Sequence, residues 1–287
     1  MEMEAFIFLF SLVIGIIAPL SGVGGGVMFV PLLTAFSGIN VDYIRGGGVM
    51  VALASSLTSS PTAIKRGFTN LRMVLPLILI SNLTAFGGGY LGLYISREFP
   101  EGKHYITLML GLLLAFILFI MSTTERVEFP EPKGRDKICS FFQMEGECFE
   151  PSIGKDIRYS ASNTTIALAM FAFVGLVAGM FGLGAGWANV PVLNLVMLLP
   201  IRVAVATSML IILLNTSIAA WVYMAKGAVL PEITVPAILG MTIGSKIGAE
   251  LTLRVSPRII RSAVMFILLI AAATNIIKGV MGIAGIT

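Results

Sequence analysis

The chain has 287 residues, of which 57% are hydrophobic and only 12% are charged, and its mean hydropathy is +0.96. A soluble domain carries about 25% charged residues, so this composition excludes the soluble class and predicts an all-α polytopic membrane protein. The net charge of +4 does not indicate a nucleic-acid partner, because the basic residues lie at the ends of apolar segments. The lipid bilayer is the expected partner.

Ten apolar segments follow one another, with charged residues almost confined to the joints between them. In chain order they cover residues 5–21, 23–37, 47–64, 73–96, 104–124, 165–181, 184–199, 203–224, 232–253 and 259–284. The first two segments of each half are short. Residues 27–37 would rise only about 16 Å as a helix, against a hydrocarbon core of about 30 Å. We expect each short pair to form half-helices or a re-entrant hairpin, followed by three full spans.

The chain contains one pattern twice, at a constant offset of 160 residues. The segment Leu20–Gly26, followed by Val30-Pro31, returns as Met180–Gly186, followed by Val190-Pro191. Other glycines and prolines keep this offset: Gly15 with Gly175, Gly67 with Gly227, Pro76 with Pro236, and Gly88 with Gly248. Repeats of this kind, broken by glycine, are typical of secondary transporters, whose site lies where the repeats meet.

The positive charges predict that the two repeats are inverted. Basic residues concentrate after the third element of the first repeat, at 65–72, but after the fourth element of the second, at 254–261. Positive residues mark the cytoplasmic side, so equivalent joints face opposite sides. We divide the chain into a first membrane repeat (1–124), a polar connecting loop (125–164) placed in the cytoplasm, and a second membrane repeat (165–287).

The connecting loop contains the only two cysteines, Cys139 and Cys148. No metal site is expected there, because the only histidine, His104, lies elsewhere. The two thiols would stay reduced in the cytoplasm and could form a disulfide on the outer face. A linker that tolerates many sequences is the simpler interpretation.

The glycine clusters are the first candidate substrate-binding elements. They comprise Gly24, Gly25 and Gly26 in the first repeat and Gly184, Ala185 and Gly186 in the second. Non-helical backbone inside the hydrocarbon region survives only where it is buried in protein or lines a cavity. The helix that follows each cluster directs N–H groups and the positive end of its dipole at the break, which favours an anion. Close helix packing at small residues is the alternative.

A repeated signature surrounds these clusters: a Gly-x-Gly-Gly-Gly-like turn, then Val-Pro-Leu, then a Ser/Thr-rich helix closing on a basic residue and glycine. In the second repeat the last part runs from residues 204–208 to Lys226-Gly227, whereas the first repeat has residues 45–48, Arg-Gly-Gly-Gly, where the second has Val-Ala-Thr-Ser. The signature resembles the TauE/SafE family of sulfite and organosulfonate exporters. The resemblance covers nearly the whole chain except the connecting loop, and it implies export of a small oxyanion or sulfonate.

Polar side chains on the third helices are further candidates. Ser208 and Asn215 lie seven residues apart on one helical face, and Ser55 is the counterpart of Asn215 in the first repeat. Serine hydroxyls often bond only to their own helix. An asparagine amide needs partners where water is absent, so Asn215 and Asn189 are favoured over the serines.

The fourth helices contribute Asn82 and Thr242, which are equivalent under the offset and predict a shared interior face. Lys246 follows one turn after Thr242, about 11 Å from the predicted helix end. A lysine at that depth is a candidate to attract the substrate. It could instead extend to the interface or pair with Glu250.

Two more side chains complete the candidate substrate site. Arg45 precedes three glycines and follows Asp42 by three residues. It could neutralise an entering anion, or it could anchor a helix end with Asp42 as partner. Trp187 follows the second glycine cluster, where it could belong to an aromatic belt or form the wall or gate of a pocket.

Together with the resemblance, these observations predict a multi-pass secondary transporter of a prokaryotic cytoplasmic (inner) membrane. It would export a small anion such as sulfite, a sulfonate (sulfoacetate) or thiosulfate by alternating access at the interface of the repeats. An anion channel, and a proton-coupled importer of another organic anion, are the alternatives. The chain has no G-x-x-x-x-G-K-[ST] phosphate loop and too few histidines and carboxylates for a catalytic or metal centre, so we expect neither enzymatic activity nor a cofactor.

Overall fold

The structure is a computed structural model that describes residues 2–21, 25–65, 69–123, 130, 134, 136–150, 155–251 and 257–285. These residues form eleven α-helices and one β-hairpin. In chain order the elements are α1 (Glu2–Ser21), α2 (Gly25–Phe36), α3 (Val41–Lys65), α4 (Leu71–Glu98), α5 (Gly102–Thr123), α6 (Lys137–Phe142), β1 (Glu145–Glu150), β2 (Lys155–Ser160), α7 (Thr164–Phe181), α8 (Gly186–Pro191), a π-helical turn (Val192–Val196), α9 (Ile201–Ala225), α10 (Pro231–Leu251) and α11 (Pro257–Ile283).

Long apolar helices dominate the fold, and the all-α polytopic class is confirmed. Five of the described helices contain stretches long and apolar enough to cross a membrane: α4, α5, α7, α9 and residues 264–283 of α11. The helices α3 and α9 begin and end at equivalent positions under the 160-residue offset. The protein is a multi-pass integral membrane protein. The inversion of the two repeats stays a prediction.

Only the second helix of each glycine-flanking pair is short. Helix α1 has 20 residues and α7 has 18, so at about 1.5 Å per residue each rises close to 30 Å. Helix α2 has 12 residues, and α8 has six before the π-helical turn begins after Pro191. The first turn of α1 contains Glu2 and Glu4, which stabilise a helix start and extend α1 beyond the apolar segment. In each half, one full-length helix is therefore followed by one short helix.

Helices of the first half pack mainly against helices of the second half. Helix α1 lies along α10, α4 along α7, α3 along α9, and α5 along α11. Under the 160-residue offset, α1 corresponds to α7 and α4 corresponds to α10. The pair α1–α10 is therefore the counterpart of the pair α7–α4. The two halves therefore share one interior.

Glycines allow the closest of these approaches. A Cβ atom on Gly240, Gly244 or Gly248 of α10 would overlap a backbone carbonyl oxygen of α1. Gly88 of α4 is equivalent to Gly248, and a Cβ atom there would overlap the carbonyl of Leu176 on α7. Spacing of small residues at every fourth position is a common device for helix packing in membranes. At these positions the repeated glycines serve packing.

Two adjacent glycines on α4 provide a matched test of this packing. We expect Gly88→Ala to lower the free energy of unfolding by about 1–3 kcal/mol, because the new methyl group would overlap the Leu176 carbonyl. Gly87→Ala should be neutral or stabilise α4 by about 0.5–1 kcal/mol, because no atom lies within 4 Å of its Cβ position. Thermal unfolding in detergent measures both. Equal melting temperatures for the two variants would contradict the packing role.

The described part of the connecting loop is folded against the membrane helices, rather than being a plain linker. It comprises α6 and the antiparallel hairpin β1–β2, in which Glu145 pairs with Ser160. Cys139, Met144 and Tyr159 are buried in one apolar cluster with side chains of α4 and α7. The amide of Asn70 donates a hydrogen bond of 2.7 Å to the carbonyl of Glu145.

Asp136 connects this cap, defined as residues 136–150 and 155–160, to the second repeat. Its carboxylate accepts hydrogen bonds from the backbone N–H groups of Cys139 (2.7 Å) and Thr164 (2.5 Å), which begin α6 and α7. Burial alone would raise the pKa of Asp136, but these hydrogen bonds outweigh it and hold the pKa below its usual value. Cys139 is a free cysteine. Burial and the nearby Asp136 carboxylate raise the pKa of its thiol, so little thiolate forms at neutral pH and the thiol is a poor nucleophile.

Candidate substrate site at the glycine turns

The start of α2 meets the second glycine turn inside the protein. A Cβ atom on Gly26, at the start of α2, would overlap the carbonyl oxygen of Leu183 in the second turn. That turn ends α7 with Gly182 at φ +67°, and Gly184 follows at φ +71°. Both angles lie in the left-handed region that favours glycine. Gly25, Ala185 and Gly186 are buried, and Gly24 lies outside the described residues.

Helix α3 runs past the start of α2 and the second glycine turn at close range. A Cβ atom on Gly182 would overlap the carbonyl of Arg45, and one on Gly48 would lie 2.8 Å from the Gly182 carbonyl. Ala52 follows on the same face, 3.2 Å from the Cβ position of Gly26. This close approach explains the glycine at position 48 of the first repeat, because a larger residue there would separate α3 from the second turn.

Three buried polar side chains, two on α8 and one on α9, have no hydrogen-bond partner among the residues that the structure describes. Asn189 is fully buried with neither its amide nitrogen nor its amide oxygen bonded, and the indole Nε1 of Trp187 and the hydroxyl of Thr207 are also unpaired. Leaving a buried polar group unpaired costs about 1–3 kcal/mol. Such groups in a native structure require an explanation, and a ligand that accepts hydrogen bonds would supply one.

Trp187 and Asn189 both belong to α8, directly after the turn. The first intrahelical bonds of α8 run from the N–H groups of Ala188 and Asn189 to the carbonyl of Ala185. The N–H groups before them point out of the helix start, as at every helix N-terminus. Trp187 and Asn189 lie two positions apart and therefore point to different sides of α8. Either side chain, together with this helix start, offers donors to a small anion without any cation.

Other predicted site residues have different surroundings. Asn215 on α9 donates a hydrogen bond of 2.5 Å to the Ser81 hydroxyl on α4, so its amide connects two helices. Ser208 is buried, and Ser55 and Thr242 are partly buried. Asn82, next to Ser81, is partly buried with its amide oxygen unpaired.

Lys246 is not placed with the glycine turns. It is exposed on α10, on the same side as Ile243 and Ile247, which are 44% and 41% exposed. Gly244 and Gly248 turn towards α1, and a residue two positions away points to the opposite side of a helix. The lysine therefore projects outwards, and the side chain of Glu250 lies outside the described residues.

Arg45 is fully buried and paired, in agreement with the anchoring interpretation. Its Nη2 lies 3.0 Å from an oxygen of Asp42, and its Nη1 donates to the carbonyl of Gly92 at 3.3 Å. The guanidinium also lies over the ring of Tyr223, 5.7 Å from its centroid. Its backbone borders the second glycine turn, but its charge is directed to α4 and α9.

Sequence reasoning missed Tyr223 and Arg97. The Tyr223 hydroxyl donates to the carbonyls of Gly179 and Met180 at the end of α7, at 3.1 and 3.0 Å. Arg97 lies 3.5 Å from the second oxygen of Asp42 and donates to the carbonyl of Lys226. Their contacts join elements far apart in the chain, so no local pattern announces them. Within the described part of the chain, no group of three or more His, Cys, Asp and Glu residues could hold a metal ion.

Comparison with known proteins identifies one family. The family model for the sulfite exporter TauE/SafE matches residues 7–275. The chain is also similar to the probable membrane transporter protein YunE of Bacillus subtilis (strain 168). The two are 25% identical over 277 residues, which cover 94% of this chain and 96% of the relative. No solved structure matches the chain.

Proposed function

Because this chain belongs to the TauE/SafE family and is a membrane transporter of that type, we propose that it exports a small anion such as sulfite, a sulfonate or thiosulfate. The substrate would bind between the two glycine turns, and alternating access at the interface of the two halves would carry it across. The exchange of helix pairs between the halves supports a shared interface of this kind.

The unpaired donors at α8 carry this proposal. The indole N–H of Trp187 and the amide of Asn189 are buried and have no partner among the described residues. An oxyanion bound at the start of α8 would satisfy the one that faces it. Neutral donors suit a transporter, because substrate release then requires no separation of a buried ion pair. The Asn189 amide also offers an unpaired oxygen, which could accept a hydrogen bond from a protonated anion such as hydrogen sulfite.

The membrane potential provides the driving force for export. One charge that crosses the membrane changes the free energy by about 2.3 kcal/mol per 100 mV. Export of a dianion from a negative interior therefore releases about 4.6 kcal/mol at 100 mV. Export of this kind requires no nucleotide.

Efflux from proteoliposomes tests the proposal. Purified protein is reconstituted in vesicles loaded with sulfite, sulfoacetate, thiosulfate or chloride, and a potassium gradient with valinomycin sets the potential. We expect saturable efflux of the sulfur anions, faster than that of chloride and accelerated by a negative interior. Flux that rises linearly with concentration would indicate a channel. Efflux no faster than from protein-free vesicles would contradict the proposed function.

Asn189→Leu should separate binding from stability. Leucine fills a similar volume and removes a buried unpaired amide, so we expect an unchanged or higher melting temperature. The half-saturation concentration for efflux should rise at least about tenfold, which corresponds to roughly 1.4 kcal/mol of lost binding.

Asn275 on α11 is the matched control. It is fully buried as well, but its amide donates to the carbonyls of Pro31 (3.1 Å) and Ala271 (2.7 Å). We expect Asn275→Leu to lower the melting temperature and to leave the half-saturation concentration unchanged. An Asn189→Leu protein that behaves like Asn275→Leu would remove Asn189 from the substrate site.

A further inference from the structure

A polar cavity lies away from the glycine clusters, behind the Arg45–Asp42 pair. Its volume is about 690 Å³, and it opens where the start of α3 and the ends of α4 and α9 meet the loop before α5. Asp42 forms part of its wall, whereas the backbone of Arg45 borders the second glycine turn. By the charge pattern, this end of the protein is predicted to face away from the cytoplasm.

Positive charge predominates around this cavity. Arg97, Lys103 and Lys226 line it, together with the carboxylates of Asp42 and Glu98. Both oxygens of Asp42 are already engaged, one with the buried Arg45 and the other with Arg97. Asp42 therefore neutralises Arg45 and leaves the cavity with three cations against Glu98.

The cations are held in different ways. The guanidinium of Arg97 is fixed by Asp42 and by the carbonyl of Lys226. The ammonium of Lys226 lies 4.3 Å from the centroid of the Tyr90 ring, at a distance suited to a cation–π contact. Lys103 forms no ion pair with any residue that the structure describes, so its charge is available to a ligand.

An unpaired hydroxyl provides a second sign of a ligand. Ser96 lines the same cavity and is only 3% exposed, yet its Oγ atom has no hydrogen-bond partner among the described residues. Elsewhere on these helices, serine and threonine hydroxyls such as those of Thr84 and Thr107 bond to carbonyls of their own helix. Ser96 does not make this bond in the described structure, so its hydroxyl remains available to a group in the cavity.

We propose that this cavity is a second anion site, which binds the oxyanion head of a small organic anion through Lys103, Arg97, Lys226 and Ser96. The volume lies within the range of small-molecule sites, about 300–1,000 Å³, and exceeds what sulfite alone would fill. The rings of Tyr43, Phe99 and Pro100 in the wall suit an apolar body attached to that head. The ligand is a soluble anion. The inference that this ligand is also the exported substrate rests on the proposed function. The inference that the cavity binds an anion does not.

A cysteine reporter in the cavity tests the site without a transport assay. Phe99→Cys is introduced on a background with Cys148→Ser, since Cys139 is buried. The protein is placed in phosphatidylcholine nanodiscs. Rates of reaction are measured for two methanethiosulfonate reagents, one with a sulfonate group and one with a quaternary ammonium group. Benzenesulfonate and ethanesulfonate serve as competing probes.

We expect the anionic reagent to react faster than the cationic one, and benzenesulfonate to slow both reactions at millimolar concentration. Lys103→Gln should lower the ratio of the two rates by roughly threefold or more, because one nearby charge is lost. Lys103 has no structural partner among the described residues, so this variant should keep the fold. Lys155→Gln, at an exposed position on β2, is the matched control and should leave the ratio unchanged.

The outcomes distinguish the sources of the anion. Slowing by benzenesulfonate in phosphatidylcholine supports the soluble ligand. Slowing only when phosphatidylglycerol replaces part of the lipid would assign the cavity to a lipid headgroup and overturn the soluble ligand. Equal rates for the two reagents, without protection in either lipid, would overturn the site altogether. Because labelling requires no transport, a protein that fails the efflux test can still pass this one, and the reverse also holds.

Discussion

Gly26→Ala should reduce efflux by at least about tenfold, which corresponds to roughly 1.4 kcal/mol of barrier or binding energy. The added methyl group would overlap the backbone carbonyl of Leu183, which cannot move without shifting the second glycine turn. Overpacking at a buried contact of this kind costs about 1–3 kcal/mol. The displaced turn would also move the start of α8, with Trp187 and Asn189. Efflux from reconstituted vesicles measures the effect.

Gly25 supplies the control one position earlier in the chain. A Cβ atom there would meet the side chain of Met241, with its Sδ at 2.8 Å and its Cε at 2.6 Å. Methionine is flexible and can move aside at little cost, so Gly25→Ala should keep most of the transport activity. Equal losses in the two variants would show that the glycines matter only as small residues, whatever they contact.

Arg45→Met should destabilise the protein by about 3–5 kcal/mol, because it leaves the nearly buried carboxylate of Asp42 with only the more distant Arg97. It also removes the bond to the Gly92 carbonyl and the contact with Tyr223. We expect a large fall in the melting temperature and in the yield of folded protein, measured after detergent extraction.

The double variant Asp42→Leu/Arg45→Met decides between the two interpretations of Arg45. Replacing both members of a buried ion pair by apolar residues is often neutral or stabilising, so stability should largely return. If Arg45 only anchors α3, efflux should return with it. A stable double variant without efflux would show that the charge of Arg45 acts on the substrate.

The sequence was a good guide wherever structure depends on local pattern. Apolar segments and their glycine breaks located the membrane helices, and the fixed offset aligned α3 with α9. The sequence alone did not reveal the folded cap, because α6 and the hairpin are stabilised by distant residues such as Asn70. The partner of Asn215 was equally hidden, since Ser81 lies 134 positions away.

Lys246 shows a signal that was present but not used. The spacing of Gly240, Gly244 and Gly248 marks one face of α10 as a packing face. Depth in the membrane made this lysine a candidate, whereas its direction around the helix axis decides what it can touch. Glycine spacing indicates that direction only once the partner helix is known. The pairing of α10 with α1 is a tertiary contact, which the local sequence of α10 does not reveal.

The pairing of α1 with α10 also sets an order of events during synthesis. Helix α1 leaves the ribosome well before α10, and the α1 carbonyls that accommodate Gly240, Gly244 and Gly248 receive their partner only when α10 has been made. At about 5–20 residues per second, some 230 residues of further synthesis take roughly ten seconds to just under a minute. Throughout that interval, this face of α1 lacks the helix that covers it in the folded protein.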